Sequence, residues 1–313
     1  MATLIAPAHC DPLADAEALR KACQGWGTNE KGIIEVIGHR NAEQRRLIKE
    51  AYESQYNENL IRRFEKELSG DFERAVYRWM LDPLDREAVL ANVALKKSDY
   101  RVIIELACIP SAEEQLAFKR AYQARYRHSL EEDVATHFSG DMRKLLLLLV
   151  GVYRYETEET EKKLAEAESE ILHNCIKEKN YNHDEIVRIL TTRSKAQLVA
   201  TFYRFRDVYG TPITKILASD QDKDFVRALQ IAIRCLKSPK KYLEKVLSDA
   251  IHNRGTDEDA LTRVVVTRAE RDLAEIKDIF YKRNSLTLEQ AVAKETSGDY
   301  NKFILTLLGH ADH

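Results

Sequence analysis

The sequence predicts an all-α fold made of four related repeats of about five short helices each. A recurring segment is the first observation, because matched positions at Glu67, His137, Asp220 and Glu295 are separated by 70, 83 and 75 residues. The second observation is that apolar residues within a repeat follow the period of a helix. Internal repetition of this kind is typical of arrays in which each repeat is a small helical group.

Apolar residues recur at i, i+3, i+4 and i+7 spacings, which place them on one helix face. Two sets in the first repeat have this spacing: Leu60, Ile61, Phe64 and Leu68, and Phe72, Ala75, Val76, Trp79 and Met80. No comparable run alternates as a strand would. At ordinary helix and loop lengths, a repeat of about 70 residues holds four or five short helices.

We place the repeats at residues 12–80, 84–153, 166–236 and 241–310. Pro83 and Pro239 fall at joints between them, where proline suits a helix end or a turn. The extra length between the second and third repeats, residues 154–170, is rich in Glu and poor in apolar residues. This stretch predicts a solvated helical connector.

The composition is that of a globular chain, with 44% hydrophobic residues and 49 Lys and Arg against 51 Asp and Glu. Because the charges nearly cancel, no overall basic field favours nucleic acid. Neither a signal sequence nor a membrane span is expected, since the longest apolar run, Leu145 to Tyr153, has nine residues. The five cysteines contain no CxxC pair, which favours a reduced, cytosolic protein.

A glycine-rich turn paired with a distant Glu occurs in two repeats. Gly25-Trp26-Gly27-Thr28 precedes Glu67, and Gly255-Thr256 precedes Glu295, with 39 residues from Thr to Glu in both copies. Such a turn exposes backbone carbonyls, and a Glu beside it adds two anionic oxygens, a ligand set that suits Ca²⁺. The alternative is a plain helix connection in which Gly supplies φ > 0 and Thr28 or Thr256 caps the next helix. The duplicated remote Glu favours calcium.

The other two repeats lack this pattern. In repeat 2 the matched positions are Leu95, Lys97 and His137, and no calcium is expected there. Repeat 3 keeps an acid, Asp220, but its loop positions are Glu178 and Asn180, so at best a weak, altered site is expected. The run of alternating acids after Asp220 is not an EF-hand, because Phe225 and Ile231 stand where Gly and Glu are needed.

Two further residue types bear on function. Trp26, inside the first loop, predicts either burial in a crevice or contact with a membrane interface, and Arg254 at the matched position could meet lipid phosphate. His39 follows an apolar helical run, where packing or capping is the commoner role and a catalytic or haem role the rarer one. No GxxxxGK[ST] phosphate loop is present.

These motifs and the four repeats resemble the annexin family, and among annexins the plant-type members, over residues 11–310. The resemblance implies four five-helix repeats forming a curved disc, with calcium loops on its convex face and repeats 1 and 4 side by side. It also implies the calcium ligands of the two sites. They would be the carbonyls of Cys23, Gly25 and Gly27 with Glu67, and the carbonyls of Ile251, Asn253 and Gly255 with Glu295.

The resemblance implies calcium-dependent, reversible binding to anionic phospholipid membranes by a cytoplasmic protein without enzymatic activity. One departure is Asn253 in place of a loop glycine, which predicts a strained, weaker fourth site. Two alternatives stay open. One is a peroxidase-like enzyme using His39 or the pair Cys108 and Cys235, and the other is a scaffold linked to F-actin through residues 187–189.

Overall fold

The computed structural model describes residues 1–25, 27–220, 223–252 and 255–310. These residues form twenty α-helices and one short 3₁₀-helix, Ala218–Asp220, with no strand among them. The first repeat contains α1 (Pro12–Ala22), α2 (Glu30–Ile37), α3 (Ala42–Tyr56), α4 (Leu60–Glu67) and α5 (Gly70–Met80). The all-α class and the five-helix repeat are therefore confirmed.

The same five-helix order recurs three more times. Repeat 2 contains α6 (Pro83–Lys96), α7 (Tyr100–Cys108), α8 (Ala112–Tyr126), α9 (Leu130–His137) and α10 (Gly140–Gly151). Repeat 3 contains α11 (Lys162–Lys177), α12 (Asp184–Thr192), α13 (Lys195–Tyr209), α14 (Ile213–Leu217) and α15 (Asp224–Lys237). Repeat 4 contains α16 (Pro239–His252), α17 (Glu258–Arg268), α18 (Leu273–Asn284), α19 (Leu288–Glu295) and α20 (Gly298–Leu307).

Helix boundaries follow local sequence. Pro83 and Pro239 are the first residues of α6 and α16, a position where the missing N–H removes no helical hydrogen bond. The third helix of repeat 1 starts with a capping box, in which Asn41 and Gln44 each accept from the other's backbone amide. Such caps satisfy the free amides at a helix start, so each short helix has a defined beginning.

One compact unit comprises Met1–Arg86 and Leu243–His313, and so contains repeats 1 and 4. At its centre α5 packs on α17 and α20, and α2 packs on α20. Phe72 and Phe303 meet edge to face, with ring centroids 5.9 Å apart. Arg78 of α5 pairs with Asp259 of α17 at 2.5 Å. The predicted proximity of repeats 1 and 4 is therefore present within this unit.

Trp79 is the largest fully buried side chain among the described residues of this unit. Its Nε1 donates to the Ile37 carbonyl at 2.8 Å. The guanidinium of Arg45 lies over the ring, 3.7 Å from its centroid, and pairs with Glu270 of repeat 4 at 2.9 Å. Burial lowers the pKa of Arg45. The Trp79 ring therefore contacts both the Ile37 carbonyl at the end of α2 and the buried Arg45 guanidinium, which pairs with a residue of repeat 4.

The second compact unit, Glu87–Tyr242, contains repeats 2 and 3. The helix contacts at its centre match those of the first unit. α10 packs on α12 and α15, and α7 packs on α15. The Tyr242 hydroxyl donates to Glu105 Oε1 at 2.7 Å within this unit. The two units therefore use one packing scheme, as expected when repeated sequences bury matched helix faces.

The stretch before repeat 3 differs from its predicted form. Residues 152–161 are not helical, and Arg154 is buried, donating to the carbonyls of Arg193 and Leu190 at 2.5 and 3.1 Å. Glu168 is buried as well and pairs with Arg193 at 2.7 Å. The predicted solvated helical connector is therefore only partly correct: residues 158–163 are exposed and α11 is helical from Lys162, but Arg154 and Glu168 are buried, where carbonyls and an ion pair satisfy them.

None of the described helices is both long and apolar enough to cross a membrane.

Candidate calcium sites in repeats 1 and 4

The repeat-1 loop (residues 23–28) and the repeat-4 loop (residues 251–256) are closed in the same way. The Asn29 amide donates to the Ala22 carbonyl at 2.8 Å, and the Asp257 amide donates to the Ala250 carbonyl at 2.8 Å. In both loops the two hydrogen-bonded residues are seven positions apart. The sequence match therefore extends to the hydrogen bond that shapes each loop.

Glycine is needed in these loops for backbone reasons. Gly25 and Gly27 have φ of 104° and 98°, and Gly255 has φ of 84°, values that L side chains rarely adopt. A Cβ added at any of the three would meet no atom within 4 Å. The glycines therefore permit a turn with open space around it, and the two in repeat 1 are exposed.

The predicted helix caps Thr28 and Thr256 are wrong by one residue. Asn29 is the N-cap of α2 and Asp257 is the N-cap of α17, and each side chain accepts an amide hydrogen bond of its helix. The local sequence contains a polar residue at both positions, so capping preference alone does not decide between them.

Thr28 and Thr256 instead connect each loop to its distant Glu. Thr28 Oγ1 donates to the Glu67 carbonyl and lies 3.4 Å from both that oxygen and Oε2. Thr256 Oγ1 donates to the Glu295 carbonyl at 3.1 Å. The remote Glu, which the sequence predicts to approach the loop, is thereby held beside it in both repeats.

In repeat 1 two of the predicted ligand oxygens converge on one cationic nitrogen. Arg63 Nη2 donates to the Cys23 carbonyl at 2.5 Å and pairs with Glu67 Oε1 at 3.0 Å. Glu67 keeps 27% of its side chain exposed. Arg63 was not predicted from the sequence, although its position four residues before Glu67 on α4 is the spacing at which helix side chains meet.

A cavity of about 300 Å³ lies beside Glu67 in the same unit. It is lined by Glu30, Glu67, Leu68, Ser69, Asp71, Phe72, Ser297, Asp299 and Tyr300. Among the described residues no three His, Cys, Asp or Glu side chains are placed to hold a metal together. Two of the lining acids, Asp71 and Asp299, already pair with Arg74 and Lys302.

The described part of the repeat-4 site is more open. Glu295 exposes 40% of its side chain, and Lys294 Nζ lies 3.6 Å from its Oε1. Ile251 is buried at the end of α16. The predicted ligand Asn253 and the predicted membrane contacts Arg254 and Trp26 lie outside the described residues.

Repeat 2 has a different loop. Its closing bond, from the Asp99 amide to the Ala94 carbonyl, spans five residues, and α6 continues to Lys96. Leu95 is fully buried. His137 is exposed and its Nδ1 lies 2.8 Å from the Asp133 carbonyl. α6 therefore continues over positions that in repeat 1 follow the end of α1 at Ala22.

In repeat 3 the acid is neutralised by the chain itself. Lys179 Nζ lies 3.2 Å from Asp220 Oδ2, and the Tyr181 hydroxyl donates to the same carboxylate. The Tyr181 hydrogen bond and then the Lys179 contacts lower the pKa of Asp220, while burial raises the pKa of Tyr181 to about 12. The carboxylate is ionised but already has a cation.

The residues of the redox alternative have structural partners. His39 Nδ1 lies 3.0 Å from the Ile5 carbonyl, so the ring anchors the N-terminal segment. Cys108 and Cys235 are buried cysteines outside any disulfide, and burial raises the pKa of Cys108 to about 11. A thiol held protonated is a poor nucleophile and a poor metal ligand.

The segment proposed for actin lies in α12. Val187 and Ile189 are buried, and Arg188 pairs with Glu185 at 2.7 Å. The two apolar side chains therefore contribute to the core of the repeat.

The fold and these loops define an all-α protein of four five-helix repeats, in which a distant Glu lies beside a glycine-containing loop in repeats 1 and 4. Comparison with known proteins agrees, since the Annexin family model matches residues 14–79, 87–149, 167–231 and 242–307. Annexin-like protein RJ4 of Fragaria ananassa is 62% identical over all of both chains. Annexin D7 of Arabidopsis thaliana is 50% identical, also over all of both chains.

Solved structures give the same result. A chicken annexin V structure in complex with Zn²⁺ superposes with a TM-score of 0.93 at 30% identity, covering 99% of each chain. A calcium-bound annexin (Sm)1 superposes with a TM-score of 0.83 at 26% identity, covering 100% of this chain and 94% of the other. The chain belongs to the annexin family, and within it to the plant-type annexins.

Proposed function

We propose that this chain binds Ca²⁺ in repeats 1 and 4 and through it attaches reversibly to anionic phospholipid membranes from the cytoplasmic side. The family is known for calcium-dependent membrane binding. The observation that carries the proposal is the convergence of the Cys23 carbonyl and the Glu67 carboxylate on one cationic nitrogen. A position that attracts a guanidinium nitrogen between two oxygens also attracts a metal cation.

The chemistry of the repeat-1 loop fits Ca²⁺. The proposed ligands are the carbonyls of Cys23, Gly25 and Gly27 together with both oxygens of Glu67. Calcium takes such hard oxygens at about 2.3–2.6 Å in flexible geometry. Thr28 holds Glu67 beside the loop, which limits the movement needed to bring the carboxylate into place.

In repeat 4 the proposed ligands are the carbonyls of Ile251, Asn253 and Gly255 with Glu295. The shared loop closure and the Thr256 to Glu295 hydrogen bond support this set. Each site offers one carboxylate and three neutral carbonyls, which leaves coordination positions for water or lipid phosphate. We expect weak binding without lipid, with Kd of about 10⁻⁴ to 10⁻³ M, as for other sites of low charge.

We also propose that Trp26 and Arg254 contact the membrane from the two loops. Trp is enriched at membrane interfaces, and Arg is attracted by anionic headgroups. The chain has two Trp residues, and Trp79 is fully buried. A blue shift of Trp emission on adding vesicles and calcium would therefore report Trp26, and an unchanged spectrum during binding would contradict the contact.

The proposed function is tested by sedimentation with phosphatidylserine–phosphatidylcholine vesicles across calcium concentrations. The protein is expected to pellet in calcium, to return to the supernatant with EGTA, and to stay there with pure phosphatidylcholine. Pelleting that EGTA does not reverse would contradict a calcium bridge and favour direct attraction by surface Lys and Arg.

Glu67→Gln is expected to raise the calcium midpoint of vesicle binding by about tenfold or more, because attachment through one site replaces attachment through two. Asp220→Asn is the matched control, since it removes the same charge from an acid that Lys179 already neutralises and that accepts a hydrogen bond from Tyr181. We expect the control to shift the midpoint by less than about twofold. Equal shifts in the same sedimentation assay would contradict the assignment of the site to repeat 1.

A further inference from the structure

We propose that Arg63 competes with Ca²⁺ at the repeat-1 site and that arriving calcium displaces its guanidinium toward Glu58. The inference rests on the proposed function of Glu67 as a calcium ligand. It adds a regulatory element found in repeat 1, where one cation bridges the loop carbonyl and the Glu, whereas Lys294 in repeat 4 lies 3.6 Å from Glu295 Oε1. Repeat 1 would then load only above the calcium concentration that its loop by itself requires.

The first observation is what Arg63 contacts. Its Nη2 bonds both the Cys23 carbonyl and Glu67 Oε1, so it neutralises the proposed anionic ligand and occupies one of the proposed carbonyls. A calcium ion using those oxygens would lie next to a guanidinium at contact distance. Two like charges so close repel strongly, and the two cations cannot share the site.

The second observation is that the guanidinium is incompletely satisfied where it lies. Arg63 Nε is buried and has no hydrogen-bond partner among the described residues. A buried donor without a partner has an unfavourable free energy. The two hydrogen-bond-length contacts of Arg63 are therefore the Nη2 contacts to Cys23 and Glu67, and a divalent ion that takes those oxygens would release the guanidinium.

The third observation is a nearby acceptor. Glu58 Oε1 lies 3.9 Å from Arg63 Nη1, while the other oxygen of Glu58 binds Arg20 at 2.5 Å and lies 3.3 Å from the Tyr52 hydroxyl. A small movement of the guanidinium would convert the 3.9 Å contact into a hydrogen bond. Glu58 thus offers Arg63 a new partner without exposing an unpaired charge in the protein.

The arrangement is specific to repeat 1. The positions matched to Arg63 are Asp133 in repeat 2, Ile216 in repeat 3 and Ala291 in repeat 4. Repeat 4 therefore has no cation at this helix position. In repeat 3 a different residue, Lys179, neutralises the acid, which indicates that an internal cation is compatible with this loop geometry.

The test is calcium titration by isothermal calorimetry without lipid, in a Glu295→Gln background that leaves only repeat 1. Arg63→Gln is expected to lower the Kd by about tenfold, the scale of one charge-assisted hydrogen bond that calcium no longer displaces. The control is Arg62→Gln, which removes the same charge from the neighbouring exposed position. We expect it to change the Kd by less than about twofold.

Thermal unfolding provides a second readout. Without calcium, Arg63→Gln should lower the Tm, whereas the rise in Tm on adding calcium should be larger than in the parent, because tighter ligand binding stabilises the folded state more. Arg63→Lys retains the charge with fewer hydrogen-bond donors. Its Tm without calcium and its rise in Tm on adding calcium should lie between those of the parent and Arg63→Gln. This conservative variant keeps the test informative even where Arg63→Gln folds poorly.

The outcomes separate the inference from the proposed function. A higher Kd for Arg63→Gln would overturn the inference and make Arg63 a residue that positions the ligands. An unchanged Kd would overturn the inference and leave the calcium site standing. Absence of calcium binding in the parent and in both Arg63 variants would overturn the site and the inference together.

Discussion

The double variant Glu67→Gln with Glu295→Gln is expected to stay in the supernatant at calcium concentrations that pellet either single variant with phosphatidylserine vesicles. Each substitution removes the only anionic ligand proposed for its loop, and the amide that replaces it binds calcium more weakly. Both residues belong to the unit formed by Met1–Arg86 and Leu243–His313. The proposed function, in which both loops lie on one face of this unit, predicts that they engage one membrane together.

The size of the expected loss follows from bivalent attachment. Once one calcium bridge forms, the second loop meets headgroups at a high effective concentration, so two bridges exceed one by roughly 10²- to 10⁴-fold. Proximity of the repeats is supported by the cavity that Glu67 shares with Asp299, at the start of α20. Pelleting of the double variant at the wild-type calcium midpoint would contradict bridging through these loops.

Trp79→Ala is expected to lower the free energy of unfolding by about 3–5 kcal/mol, as for other buried aromatic residues replaced by Ala. The ring is fully buried, and its loss would leave the Ile37 carbonyl without its indole donor. It would also leave Arg45 without the ring that it covers. Urea unfolding of the full chain measures the change.

Two control variants show whether the loss of stability comes from the buried ring of Trp79. Trp79→Phe keeps an aromatic ring under Arg45 and should cost less than Trp79→Ala. Tyr155→Ala removes a ring that is 69% exposed and should change the stability by no more than about 0.5 kcal/mol. A Trp79→Ala loss of less than about 1 kcal/mol would contradict the packing of this core.

Repetition made much of the fold predictable. Glu67 and Glu295 lie at matched positions, so the same spacing to a loop in two repeats supported the prediction that each Glu approaches its loop. The structure places both beside their loops. Pro83 and Pro239 likewise begin helices, as their restricted φ suggests. Such features depend on spacing and on local backbone preference, which a single sequence contains.

The missed features depend on tertiary contacts. Arg154 and Glu168 look like surface charges in the sequence, but they are buried because carbonyls and Arg193 satisfy them. Thr28 and Asn29 are both polar residues that could cap α2. Asn29 is the cap, whereas the Thr28 side chain donates to the Glu67 carbonyl at the end of α4. No local pattern contains such information.

Arg63 illustrates the same limit at the site. Its spacing to Glu67 was visible, but its contact with the Cys23 carbonyl joins residues 40 positions apart. Comparison of Arg63 with Ala291 at the matched position of repeat 4 is the signal that could have identified it. Differences between repeats, and not only their agreements, therefore point to functional residues.

The most direct test of the account is a crystal structure grown in calcium chloride with glycerophosphoserine, with calcium located by anomalous scattering. Calcium bridging through both loops predicts one ion at about 2.3–2.6 Å from both carboxylate oxygens of Glu67 and a second at the same distances from Glu295. The Cys23 and Ile251 carbonyls should complete the respective sites, with headgroup phosphate on each ion. Calcium bound elsewhere, with Glu67 and Glu295 free of it, would contradict the account.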